Sequence, residues 1–212
     1  GPRLGRFAAD GSPRLIPGHN LGLVTLGGFI LWVGWFGFNA GSTLKVDVNL
    51  GLIALNTHLA ASAGALGAIL ALRTTSSPIL LTTTVNGALG GLVGITAGCA
   101  SMAPGFALLT GLIAGFLVVY SMAVMDALCL DDVVGAVPVH GICGIWGTLA
   151  AGLFFSGDLF SMDRVMIQLL GVAAAFLWTF PLALAMYFGL AKTIGLRVPS
   201  QHEQRGLDFS EH

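Results

Sequence analysis

Residues 131–147 read DDVVGAVPVHGICGIWG, and they set one histidine, His140, inside a run of 25 uncharged residues from Val133 to Gly157. A helix needs roughly 20 residues to cross about 30 Å of hydrocarbon, so this run is long enough to span a bilayer. An ionisable side chain at that depth is costly and marks a functional position by default. Gly141, Gly144 and Gly147 recur beside it at helical spacing and leave room for another helix on that face.

The rest of the chain has the same character. Charged residues make up 9% of the 212 positions, against about 25% in a soluble domain, and 31 residues are glycine. Mean hydropathy is +0.88. The few charges therefore act as punctuation. Arg14 and Lys45 enclose 30 uncharged residues, Asp47 and Arg73 enclose 25, and Arg164 and Lys192 enclose 27. The 52 uncharged residues from Thr74 to Met125 are too many for one crossing and break near Ala100–Pro104, which predicts two helices there. The expected fold is all-α and integral to the membrane, with six transmembrane helices at 21–42, 49–73, 79–99, 105–125, 134–155 and 165–194. Residues 1–20 read as a polar connecting loop, 21–195 as the core and 196–212 as a polar tail.

Six crossings put both ends on one side of the membrane. Arg3, Arg6, Arg14, Arg73, Lys192, Arg197 and Arg205 fall on that side, and only Lys45 and Arg164 fall opposite. The positive-inside rule then predicts cytoplasmic ends in a multi-pass protein of the cell membrane. The first methionine is Met102, and a helix–helix connection opens the chain. The reading expects a helix before residue 1 and a chain cut from a longer reading frame.

Several polar and aromatic residues stand out against this background. Trp35, Phe38 and Ser42 follow spacings of three and four and share a helical face. They read either as an interfacial aromatic belt or, given Gly34, Gly37 and Gly41 between them, as packing inside a bundle. His58, beside Asn56 and Thr57, reads first as a helix–helix or interfacial histidine. Thr96 is either a pore-lining hydroxyl or a side chain bonded back to its own helix. Asp131 and Asp132 precede the fifth span, where carboxylates satisfy exposed backbone N–H groups; direct contact with substrate is the lesser reading. Cys99, Cys129 and Cys143 lack metal-ligand spacing and read as small packing residues. His202, Glu203, Glu211 and His212 are too spread out for a metal site. No phosphate-cradling glycine loop, nucleophile elbow or solvent-facing carboxylate pair appears, so no cofactor, metal or nucleic acid is expected and the chain does not read as an enzyme.

Two stretches carry a family resemblance. LWVGWFGFNAGS at 31–42 and DDVVGAVPVHGICGIWGTLAAGLF at 131–154 resemble signatures of the ammonium transporter (Amt/Mep/Rh) family, the Amt branch in particular. IPGHN at 16–20, NGALGGLVGITAGCA at 86–100 and GLRVPSQHEQRGLDFSEH at 195–212 add to the likeness, while Gly135 and Pro138 depart from the pattern of many members. The resemblance implies an eleven-helix fold of two inverted five-helix halves plus a long last helix, of which this chain looks like the second half and that last helix. It implies ammonium or ammonia as substrate, homotrimers in the lipid bilayer with one pore per subunit, and a tail that responds to a PII signalling protein. His140 then matches the second histidine of a twin pair in the pore, Phe38 a gating phenylalanine, Ser42 the hydroxyl at the external ammonium site and Trp35 a pore-lining tryptophan. An ammonium sensor, with the same core joined to a signalling module, is the alternative that the resemblance leaves open.

Overall fold

The computed structural model describes residues 1–46, 48–75 and 78–211; Asp47, His212 and the Glu211 side chain, which enter the sequence reading, lie outside what it describes. Among the described residues, eight α-helices and one π-helical turn follow in order. They are α1 (Leu21–Gly41), α2 (Leu50–Thr74), α3 (Leu81–Thr96), α4 (Pro104–Ala127), the π turn Val137–Ile142 running directly into α5 (Cys143–Leu153), α6 (Met162–Thr193), and the short α7 (Ser200–Arg205) and α8 (Leu207–Glu211). No strand occurs among the described residues; within residues 1–20 an isolated bridge between Phe7 and Pro13 closes a small turn.

Four helices are long and apolar enough to cross a membrane: α1 with 21 residues, α2 with 25, α4 with 24 and α6 with 32. The two remaining expected spans are helical but shorter, α3 at 16 residues and Val137–Leu153. Helix limits follow local chemistry. The Asn20 side chain caps α1 by accepting Leu23 N–H at 2.9 Å. Pro104 opens α4, where its missing N–H costs nothing. The break between α3 and α4 is held by buried Asn56, whose Nδ2 donates to the carbonyls of Cys99 and Met102, both at 2.9 Å. α6 runs unbroken through Pro181.

The core lies where α2 packs between α3 and α4. Lipid is as apolar as any side chain, so helices in a membrane associate through close packing of small residues. Gly91 of α3 and Gly111 of α4 both lie against the Ala60 carbonyl of α2, so closely that a Cβ on either would overlap it. α5 joins through α3, and among the described residues α5 is the one helix on which α6 packs. The buried cluster that includes Ala60 extends under the α3–α4 turn, where Phe106 stacks on Phe154 at 4.7 Å between ring centroids. Cys99 and Cys143 are buried packing residues as expected, but Cys129 is exposed, in a left-handed turn at φ 55° with its Sγ 3.6 Å from the Gly11 carbonyl.

Candidate functional site

α1 presents the aromatic face that its spacing predicts. The Trp35 and Phe38 rings meet edge to face at 5.8 Å between centroids, and the Ser42 hydroxyl donates to the Phe38 carbonyl one turn back. Trp35 Nε1 donates to Thr96 Oγ1 of α3 at 2.9 Å, and Thr96 Oγ1 donates in turn to the Leu92 carbonyl at 2.8 Å. Thr96 therefore bonds back to its own helix, one of its two sequence readings, and the same oxygen anchors the indole. The consequence is chemical. With the indole N–H and both hydroxyl protons committed, Trp35 offers a fixed π face, and Ser42 offers lone pairs to an incoming N–H donor.

Beneath this face α1 and α2 are tied by a buried amide and a buried hydroxyl that the sequence did not single out as partners. Asn39 Nδ2 donates to Thr57 Oγ1 at 2.9 Å, and Thr57 donates to the Ile53 carbonyl at 2.7 Å. His58 stays exposed and lies against two rings of α1, Trp32 at 5.5 Å and Phe36 at 6.4 Å. These contacts set the spacing of α1 on α2.

His140 sits in the π-helical turn, exposed on its own element, while its neighbours Pro138 and Val139 are buried. No hydrogen bond or ring contact joins it to Trp35, Phe38, Ser42 or Thr96 among the described residues. The two groups are related through α3, since α1 and the π turn with α5 both pack against that helix. Cys143 approaches Gly90, and Trp35 bonds Thr96 six residues on, about 9 Å further along the helix. Of the three glycines flanking the histidine, only Gly147 makes backbone contact with α3, at Gly94; Gly144 lies near Val93 and Gly141 near its own helix.

The two carboxylates before His140 divide their work. Asp132 accepts Ala136 N–H at 2.9 Å and Val137 N–H at 2.7 Å, so it caps the helix. Asp131 caps nothing. It accepts Arg3 Nε at 2.8 Å and Nη2 at 2.9 Å, with Arg6 Nε 3.5 Å away, and these bonds hold its carboxyl down at about 2 from an ordinary 3.8. The Arg3 hydrogen bond is the largest cause, opposed by burial. Arg6 also pairs with Asp126. The tail joins this face through Glu203, which accepts Leu4 N–H at 2.8 Å and pairs with Arg197 at 2.9 Å; both contacts, the backbone one first, lower its pKa.

The profile of the Ammonium Transporter Family matches residues 1–212. The chain belongs to that family. Over its whole length it is 43% identical to ammonium transporter Amt2 of Archaeoglobus fulgidus and 38% identical to Amt2 of Methanocaldococcus jannaschii. It covers 49% and 50% of those proteins, so it spans about half the length of the curated relatives it matches. Among solved structures, a sensor Amt protein superposes with a TM-score of 0.94 at 39% identity, covering all of this chain and 54% of that one. Mep2 of Candida albicans superposes at 0.82 with 22% identity, over 93% of this chain and 48% of that one, a likeness of fold alone. The curated relatives are named as ammonium transporters, and the family is one of transporters, not of enzymes.

Proposed function

We propose that this chain forms one half of a pore for ammonium or ammonia, with His140 as one member of a twin-histidine site. The observation that carries the reading is the anchored face of Trp35, Phe38 and Ser42 on α1. An unpaired cation in low-dielectric surroundings costs tens of kcal/mol by idealised estimates, so a pore has to bind the ion before moving it. The two aromatic faces each supply about 0.5–2 kcal/mol of cation–π attraction, and Ser42 replaces one hydration contact. Deeper along α3, the His140 imidazole accepts a proton or a hydrogen bond from the substrate. Ammonia and the proton then cross by separate but coupled routes.

The proposal extends to architecture. α3 and Val137–Leu153 complete six crossings, the second inverted repeat plus the last helix of an eleven-helix protein. Residues 1–20 are a cytoplasmic loop, 21–195 the core and 196–212 a cytoplasmic tail. The assembled protein is a homotrimer in the cell membrane, and a PII signalling protein acts at the tail.

The test uses the complete reading frame that carries this chain, expressed in cells without ammonium transporters of their own. Growth on low ammonium, methylammonium uptake and ammonium-evoked current are measured for the parent and for His140→Ala. At least a tenfold loss of current is expected, and parental current and selectivity in the variant would rule out the role. The likeness to a sensor Amt protein favours a second reading, detection of ammonium with little flux. A signalling module following this core, together with binding but negligible current, is its signature.

A further inference from the structure

The turn that carries His140 is pinned at both ends by different parts of the molecule. At its start, the Asp132 carboxylate takes Ala136 N–H on Oδ1 and Val137 N–H on Oδ2. Gly135 is held alongside, at φ +75°, with Asn86 Nδ2 only 2.6 Å from where a Cβ would stand; that same amide donates to the Val134 carbonyl at 3.0 Å. A side chain there would be strained by the positive φ and would have to displace the Asn86 amide. At the far end, Cys143 Sγ donates to the Ala114 carbonyl at 3.5 Å, Trp146 Nε1 donates to the Thr110 carbonyl at 3.0 Å, and Gly147 meets Gly94 backbone to backbone.

Between these pins the chain is too long for an α-helix. α3 runs parallel to it, with Asn86 facing Gly135, Gly90 facing Cys143 and Gly94 facing Gly147. From the second contact to the third, both chains advance four residues. From the first to the second, α3 advances four residues, about 6 Å, while the facing chain spends eight, which as an α-helix rise about 12 Å. The reach of the Asn86 side chain and the wide π turn together absorb the difference. The turn closes with Cys143 N–H on the Pro138 carbonyl five residues back, one more than an α-helix uses.

We infer that Asp132 is a positioning residue for His140: its two hydrogen bonds hold the π-helical register, and that register sets the direction of the imidazole. The inference rests on the pore role proposed for His140. Without the cap, the extra residue slips back into the loop and the turn closes as α-helix. One residue of register is a rotation of about 100°, which carries a side chain from one helix face to the next. Asp131 has no share in this, because Arg3 and Arg6 hold it to the loop at residues 1–6.

The experiment compares Asp132→Ala and Asp132→Asn with the parent in the complete reading frame, per unit of assembled protein. For Asp132→Ala, an experimental structure is expected to show Cys143 N–H on the Val139 carbonyl and a rotated His140. Ammonium current falls at least tenfold, and the ratio of ammonium to methylammonium transport changes, which a lower yield of folded protein would not produce. Asp132→Asn keeps one acceptor and is expected to lose about threefold with a smaller change in the same ratio. It decides the matter if the alanine variant does not accumulate. A retained π turn in Asp132→Ala, or parental current and ratio in either variant, overturns the inference. A parent without ammonium current defeats the transport reading instead, and the register claim then stands or falls on the structure of Asp132→Ala.

Discussion

α2 and α6 have similar hydropathy and opposite lives. α2 buries eleven residues, nearly all of them alanine, glycine or small polar, whereas α6 buries none of its 32 and turns Leu, Phe and Trp outward. In water the large side chains would be the ones to bury. In lipid they gain little from leaving the solvent, and close backbone approach becomes the source of cohesion. The contact between Ala60 and the glycines of its two neighbours is therefore among the parts of the fold that tolerate least, and the bulky surface of α6 among those that tolerate most.

The largest effect is expected where that contrast is sharpest. Gly111→Leu drives a side chain into the Ala60 carbonyl, and because backbone cannot step aside as a side chain does, the cost exceeds the usual 1–3 kcal/mol or so of overpacking. Extraction in mild detergent followed by gel filtration is expected to yield aggregate and no monodisperse protein. Normal yield and melting temperature would break the comparison at its root.

A smaller effect is expected at the charged face, which belongs to neither region. Asp131 has a lower pKa folded than unfolded, so its contribution to stability is complete above about pH 4 and is lost as pH falls from there through about 2. Arg3→Ala is expected to lower stability by about 1 kcal/mol at pH 7, discounted for the solvent around Arg3, and by a small fraction of that near pH 2, where the Asp131 carboxyl is half protonated. Thermal melts across that range read the difference. An equal deficit at both ends would mean that Arg3 acts by packing alone.

The smallest effect belongs to α6. A Cβ at Gly171 meets nothing within 4 Å, so Gly171→Ala is expected to be neutral or to stabilise the helix by up to about 1 kcal/mol. Loss of stability there would sharpen the comparison differently, by revealing a neighbour on α6 in the assembled protein.

Helix positions were legible because charges bracket the apolar runs, and Trp35, Phe38 and Ser42 were legible because three-and-four spacing survives in any straight helix. Other features have no local trace. Asn39 reaches Thr57 and Asn56 reaches Cys99 and Met102 across separations of 18 to 46 residues, and nothing in a run of apolar sequence announces which amide will find which carbonyl. The division between Asp131 and Asp132 was hidden for the same reason, since the arginine that claims Asp131 lies 128 residues away. The π turn leaves no period to read. Gly135 and Pro138 fall at its start, where a positive φ and a missing N–H are accommodated.

The bond between Leu4 and Glu203 has a temporal side. Its partners are 199 residues apart, and at about 5–20 residues per second a ribosome needs roughly 10–40 s to supply the second after the first. Throughout that interval the Leu4 amide waits in water while the helices between are inserted one after another. Closure of this bond is therefore a late event in biogenesis, and its formation records that everything between the two residues has already been delivered to the bilayer.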